Sequence, residues 1–396
     1  MMKMGTIGDD PKLRALLQKA QRRPKLPPVS DVSKEMALAL VESCRQGTAP
    51  TQGALVLAVG REDLFDSMKQ DLILVANHNS CLRVVNGIFG MGKSFTLRVL
   101  QEYAHKEEFA TSFLTLSSRE CPMDNLKSVY RHVIKGLRTA SCIDRPALED
   151  VLENWALEVK EYVMRHSLAP WILTDLDANV KNALTQYFEG VHSARPQKVD
   201  TALRWLQGET TMTDAKCLGM STNISTENAL KMLGNLTRML RFMGLKGLVT
   251  LLDEADAIPS LPSAVRREEA YKNLYSLATA ARSTPYSYFV YATTPAFFKS
   301  MPYGFDKVLG NVTELYPLES KELTELAEEV RDLHFKAYDW RHNDFGKSSI
   351  SLFMRRCVSA SANTPRDFIR ALVATLDVCQ ENKKLTLEHA ASLLKI

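Results

Sequence analysis

Residues 87–94 read Gly87-Ile88-Phe89-Gly90-Met91-Gly92-Lys93-Ser94, a match to the G-x-x-x-x-G-K-[S/T] phosphate-binding loop. This octet constrains the fold more than any other stretch, because it needs a strand before it and a helix after it. Its glycines let backbone N–H groups curl around a phosphate chain without Cβ clashes. The helix N-terminus that follows favours anions. Both flanks fit. Cys81-Leu82-Arg83-Val84-Val85-Asn86 is β-prone, and Phe95-Thr96-Leu97-Arg98-Val99-Leu100-Gln101-Glu102 suits a helix. The pattern predicts an α/β fold in which a parallel sheet carries the loop after its first strand. ATP is the expected ligand. Backbone amides of Gly90, Met91 and Gly92 would cradle its phosphates, with Gly87 and Phe95 counted among the flanking contacts. Lys93 would reach the β- and γ-phosphates, and the Ser94 hydroxyl would hold Mg²⁺. Gly346-Lys347-Ser348 repeats the last triplet, but Arg341 stands where the first glycine belongs, so that stretch reads as a loop.

A phosphate-binding loop does not hydrolyse ATP alone; it needs a carboxylate at the end of a neighbouring buried strand. The run from Gly247 to Asp253 is apolar or β-branched and ends in Asp253-Glu254, as expected of a strand buried on both faces. Asp253 would accept from Mg²⁺ waters, and Glu254 would polarise the attacking water as general base. A third strand, Ser287-Tyr288-Phe289-Val290-Tyr291-Ala292-Thr293-Thr294, is closed by Pro295. In nucleotide-switching folds such a strand ends in a polar residue beside the γ-phosphate. Thr293 and Thr294 are both candidates, and Thr294 is preferred. The plainer alternative is two threonines that satisfy backbone groups.

With these residues in view, the chain resembles an initiator-like AAA+ ATPase. Val59-Gly60-Arg61-Glu62 is similar to the Gly-Arg-Glu box that contacts adenine in origin-recognition ATPases, which implies that Gly60 and Arg61 face the base. Asn363-Thr364-Pro365-Arg366-Asp367 is similar to the second sensor, which implies that Arg366 reaches the γ-phosphate from a helical lid. A nearer resemblance is to the ATP-binding proteins of BREX phage-defence systems. It rests on the order of Gln46-Gly47-Thr48-Ala49-Pro50, Ala58-Val59-Gly60-Arg61, the loop, Leu116-Ser117-Ser118-Arg119-Glu120, Leu252-Asp253-Glu254-Ala255-Asp256 and Ala270-Tyr271-Lys272-Asn273-Leu274. The resemblance implies an ATPase in a bacterial anti-phage locus, with DNA and other defence proteins, such as a helicase or methyltransferase, as partners, and possible homo-oligomers. Two departures stand out. Threonine replaces the usual sensor asparagine. Residues 296–318, where many AAA+ proteins carry an arginine finger, contain Lys299 and Lys307 but no arginine. Arg266, Arg267 and Arg282 are candidate substitutes.

Composition sets outer bounds. The 396 residues suffice for two or three domains. The net charge of +4, from 50 basic and 46 acidic residues, does not by itself argue for nucleic acid. Apolar runs such as residues 54–59 are too short to span a bilayer. The N-terminus lacks the apolar stretch of a secretory signal. Seven cysteines, none in a CxxC spacing, fit free thiols in a reducing cytoplasm and argue against structural zinc.

The expected organisation runs as follows. Residues 1–45 are a basic arm and a helix. Lys12, Arg14, Lys19, Arg22, Arg23 and Lys25 bring either phosphate contacts or a solvated surface. Ser33 should cap a helix to Cys44. Residues 46–138 and 226–316 are the two parts of the nucleotide-binding core, with a second strand over residues 109–116 and a helix over 123–137. Since 160 residues separate Lys93 from Asp253, about twice what a compact core needs, residues 139–225 read as a helical insertion. Its stripe of Leu148, Val151, Leu152, Trp155, Val159 and Val163 predicts core packing, or alternatively a partner face. Helices follow over residues 228–242, 321–336, 349–359 and 365–379, the last three in a lid spanning 317–396. Two functions fit: an ATP-driven motor or switch on DNA, or an ATP-held scaffold with little turnover.

Overall fold

The structure, a computed structural model, describes residues 27–167, 169–300, 312–342, 345–359 and 364–394. The basic stretch at residues 11–25, Lys307 and Asn363 lie outside the described residues. Helices α1 (Lys34–Gln46) and α2 (Glu62–Ala76) precede strand β1 (Ser80–Asn86) and helix α3 (Lys93–Lys106). Next come β2 (Ala110–Thr115), α4 (Leu126–Lys135) and β3 (Leu137–Arg138). A helical run contains α5 (Leu148–His166), α6 (Ala178–His192), α7 (Pro196–Leu206), α8 (Met212–Cys217) and α9 (Ala229–Phe242). It is followed by β4 (Leu248–Asp253), α10 (Ala264–Ser283), β5 (Ser287–Thr293) and α11 (Pro295–Ser300). The rest comprises β6 (Val312–Glu314), α12 (Ser320–Tyr338), α13 (Lys347–Ser359), α14 (Pro365–Glu381) and α15 (Leu387–Leu393).

The fold is α/β and divides into two compact units. One is built from Met1–Ile73, Val85–Tyr103 and Glu314–Ile396, the other from Leu74–Val84 and Ala104–Thr313.

The second unit is organised by a mostly parallel sheet of strand order β3-β2-β4-β5-β1-β6. Ala110 lies opposite Leu248 and Thr115 opposite Asp253; Leu248 in turn lies opposite Ser287. The start of β1 is bonded to the start of β5, where the Tyr286 amide donates to the Asn79 carbonyl at 2.9 Å. Every residue of β4 and β5 is buried, which explains their continuous apolar sequence. The helix expected over residues 123–137 is shorter. Asn125 caps its start, and Leu137–Arg138 instead pairs antiparallel with β2. The chain leaves the helix at Gly136, where a Cβ would stand 2.8 Å from Ser112 Oγ on β2.

The helical run packs on the same core as the sheet. Leu148, Leu152 and Trp155 are buried as the stripe predicts. The Trp155 and Trp171 rings meet at 5.0 Å, with Phe188 and Phe242 beside them. Trp171 donates to Thr185 Oγ1 at 2.9 Å and Trp205 to the Thr222 carbonyl at 3.1 Å. These tryptophans are core, and the polar ends of Trp171 and Trp205 are satisfied.

In the first unit, Ser33 caps α1 by accepting from the Met36 amide. Helices α1, α12, α13 and α14 share one apolar core, with Leu40, Leu326, Val330, Leu333, Phe353, Phe368 and Leu372 at its centre. A polar network runs from buried His334 and Trp340 to the half-buried Asp377 and Arg45 at its edge. Trp340 donates to His334 Nδ1 at 2.9 Å, so His334 carries its proton on Nε2 and donates it to Asp377 Oδ1 at 2.9 Å. Asp377 also takes two bonds from Arg45. Burial opposes ionisation of Asp377, but hydrogen bonds from His334 and Arg45 overcome it and hold the carboxyl below its ordinary range. The expected loop at Gly346-Lys347-Ser348 is corrected: Lys347 and Ser348 open α13. Ile350, Phe353, Met354 and Cys357 are all buried, and this helical stripe carries the helix back to Lys347.

Candidate functional site

The phosphate-binding loop leaves β1 at a fixed exit. The Asn86 carbonyl accepts from Leu315 N at 2.7 Å, and Asn86 Nδ2 donates to both Glu314 carboxylate oxygens at 2.9 and 2.8 Å. Gly90 and Gly92 then adopt φ of 86° and 83°, a region costly for a residue with a Cβ. Steric fit closes the choice at Gly90, where a Cβ would lie 2.6 Å from Thr364 Oγ1. Helix α3 begins at Lys93, so the amides of Lys93, Ser94 and Phe95 have no intrahelical acceptor, and the positive end of the helix adds to their pull on an anion. Lys93 Nζ donates back to the Gly87 and Ile88 carbonyls at 2.8 and 3.2 Å. The Met91 amide donates to the Ile88 carbonyl at 3.3 Å and closes a turn within the loop. Phe95 packs its ring against the apolar core of this unit, which leaves its backbone as the part that can face a ligand.

Arg61 lies behind the loop. Its guanidinium donates to the Met91 carbonyl at 2.6 Å and to the Tyr316 carbonyl at 3.3 Å, and it reaches Thr96 Oγ1 at 3.5 Å. Burial pulls its pKa down to about 10, against the nearby Glu322 carboxylate. Gly60, at φ 79°, abuts the same glutamate; a Cβ there would stand 2.8 Å from Glu322 Cδ. Both residues expected to meet adenine thus brace the loop and the start of α12.

The start of α14 rests on the loop. Thr364 caps the helix by accepting from Asp367 N, and Pro365 occupies its first position. The Arg366 amide donates to the Gly90 carbonyl at 3.4 Å. The Arg366 guanidinium stands 4.2 Å from the centre of the Phe89 ring. Among the described residues no carboxylate pairs with it.

In the second unit, Asp253 ends β4 with 5% exposure. Its carbonyl accepts from Leu116 N, and its Oδ1 accepts from the Glu254 amide, both at 3.0 Å. Glu254 is exposed and left-handed, at φ 56° and ψ 41°. Its carbonyl accepts from Ala257 N at 2.8 Å to start a 3₁₀ turn over Ala255–Ser260. A non-glycine residue held this way stores about 1–2 kcal/mol, and such strain clusters where a side chain must be aimed. The two threonines differ. Thr293 is fully buried with an unpartnered Oγ1, whereas Thr294 lies just past β5, half-buried, its carbonyl accepting from Phe297 N at 3.0 Å.

Two of the three arginines considered as fingers are engaged inside their own unit. Arg266 grips Asp124 with Nε at 2.5 Å and Nη2 at 3.2 Å. Arg267 donates to the Leu261 carbonyl at 2.7 Å. Arg282 is exposed near the end of α10.

Residue reasoning missed the roles of Phe89, Thr364 and Glu322, because each acts on a residue far away in sequence. Only Thr364 left a local trace, a capping threonine before a proline.

A family described as BREX system ATP-binding protein BrxC/D matches residues 32–394. No curated protein matches the chain. Among solved structures, the Aeropyrum pernix ORC2 protein, in ADPNP–ADP complexes, is similar at 13% identity and a TM-score of 0.45. The match covers 84% of this chain, and the chain spans 66% of that protein. Domain III of the Thermotoga maritima replication initiation protein DnaA is similar at 9% identity and a TM-score of 0.41, over 85% of this chain and 91% of that one. Among the described residues no helix is long and apolar enough to cross a membrane.

Proposed function

The chain belongs to the BREX system ATP-binding protein family, and from that premise we propose that it is a Mg²⁺-dependent AAA+ ATPase of the cytoplasm that works on or with DNA beside other defence proteins. The observation that carries this reading is the loop at residues 87–94. Its two left-handed glycines and the open N-terminus of α3 present backbone amides in the manner a phosphate chain requires. Lys93 sits on the loop itself, bonded to its carbonyls; a phosphate would offer that ammonium a stronger, charge-assisted bond.

The remaining roles follow from chemistry. Ser94 supplies a hydroxyl and Asp253 a carboxylate, oxygen donors of the kind Mg²⁺ takes while keeping several waters. The ion would neutralise charge on the phosphates. Glu254, exposed and held in a fixed backbone conformation, accepts a proton from the attacking water. Thr294 is the more accessible of the two threonines for a γ-phosphate contact, and the Arg366 guanidinium lies over the Phe89 ring, with no acidic partner among the described residues. Loss of the γ-phosphate would remove the contacts that favour one lid position and so shift the population.

A second reading, an ATP-held scaffold with little turnover, is favoured by Arg266 and Arg267, which are tied up within their own unit. ATP hydrolysis by the purified chain, with and without double-stranded DNA and beside Lys93→Ala, separates the two. DNA-stimulated turnover that Lys93→Ala loses supports the ATPase on DNA. Tight ATP binding with no turnover in either condition refutes it in favour of the scaffold.

A further inference from the structure

The segment Gln46-Gly47-Thr48 and the loop residue Phe89 take no part in the chemistry above, yet both touch Arg366. Gly47 ends α1 at φ 67°. A Cβ on it would lie 3.0 Å from Arg366 Cγ and 2.7 Å from Arg370 Cδ, so the arginine stems run directly over the bare glycine backbone. At the far end of the same side chain, the Arg366 guanidinium lies over the Phe89 ring. Phe89 is 74% exposed, so no core packing accounts for an aromatic residue there. The Arg366 backbone is fixed as well, by its amide bond to the Gly90 carbonyl. The side chain is therefore held along its whole length, by glycine at the stem and by a π-face at the cation, and among the described residues no carboxylate claims its charge.

We propose that Gly47 and Phe89 are positioning residues that seat Arg366 against the phosphate-binding loop, ready for the γ-phosphate of ATP. The proposal rests on the ATP-binding reading above. A ring face holds a guanidinium without neutralising it, so the charge stays available to an anion. A preset side chain loses less rotamer freedom when it binds, and that gain is specific to the nucleotide carrying the third phosphate. The absence of a side chain at Gly47 lets α14 and its arginines come this close to α1.

The test is the ratio of ADP to ATP dissociation constants for the full chain, measured by calorimetry in Mg²⁺ for wild type, Phe89→Ala, Phe89→Trp, Arg366→Ala and the Phe89→Ala/Arg366→Ala pair. Phe89→Ala should lower the preference for ATP by about two- to fivefold, the scale of one exposed cation–π contact. Phe89→Trp should keep it. The double variant should lose no more than Arg366→Ala alone. An unchanged ratio in Phe89→Ala, or losses that simply multiply in the double variant, overturns the seat while Lys93-dependent ATP binding stands. Wild-type chain that binds neither nucleotide overturns the ATP-binding reading, and the seat with it.

Discussion

Gly90→Ala tests how tightly the loop and α14 are fitted. The alanine must adopt φ 86°, which costs about 1–2 kcal/mol for a residue with a Cβ. Its Cβ would also lie 2.6 Å from Thr364 Oγ1 and 2.9 Å from Thr364 Cβ. Thr364 cannot turn away cheaply, because Oγ1 accepts from Asp367 N at 3.2 Å and donates to Asp367 Oδ2 at 2.7 Å. Displacing it loses the cap of α14, about 1 kcal/mol. The two costs together destabilise the first unit by about 2–3 kcal/mol. At roughly 2–4 °C per kcal/mol for a unit of this size, its melting transition should fall by about 5–10 °C. Differential scanning calorimetry measures this. Thr364→Gly, itself tolerated at a cap for a few tenths of a kcal/mol, should remove the clash. Gly90→Ala/Thr364→Gly should then recover about 1 kcal/mol relative to the sum of the single changes. A Gly90→Ala protein within about 0.5 kcal/mol of wild type, or strict additivity in the pair, would refute the fit.

Further outcomes follow from individual residues. His105 is buried and held at 2.8 Å from Thr111 Oγ1, and burial pulls its pKa down to about 4. The unfolded chain then binds the extra proton between about pH 6.5 and 4. Stability should fall by up to about 3 kcal/mol as pH drops through that window, and His105→Gln should flatten that limb in urea titrations; an unaltered limb counts against it. The Arg266–Asp124 pair, with Asp124 13% exposed, should show a measurable favourable coupling in a double-mutant cycle, and a coupling near zero would contradict its geometry. Glu254→Gly relieves the left-handed strain, offset by glycine's freedom in the unfolded chain. Its unfolding free energy should stay level or rise by about 1 kcal/mol, and a clear loss would mean the conformation is not strained.

Much of the fold was legible because it rests on local signals. The fully buried strands β4 and β5 announced themselves as apolar or β-branched runs, β1 as a β-prone stretch before the loop, and Ser33 announced the cap of α1. The tryptophan stripe of α5 gave its inward face. What stayed hidden depends on partners distant in sequence. The two-residue strand β3 exists because β2 offers it an edge, and nothing in Leu137-Arg138 alone distinguishes it from the end of a helix. Gly346-Lys347-Ser348 read as a loop because Arg341 broke the phosphate-loop pattern, while the apolar face that makes it helical lies further along. At the site, the octet 87–94 named the loop, but its bracing by Arg61 and Thr364 could not be read from spacing. Both residues reach the loop through backbone positions that a sequence pattern does not encode. Thr293 and Thr294 were both candidates with Thr294 preferred, and burial sets them apart: Thr293 is fully buried and Thr294 only half-buried.

The central claim is that residues 87–94 hold ATP. The most direct test is isothermal titration of Mg·ATP into the full chain and into Lys93→Ala. Loss of one charge-assisted contact of this kind is worth about 1.5–3 kcal/mol, so the account predicts saturable binding by wild type, weakened about ten- to a hundredfold or more in Lys93→Ala. Equal affinity in the two proteins, or no binding by wild type, would contradict it.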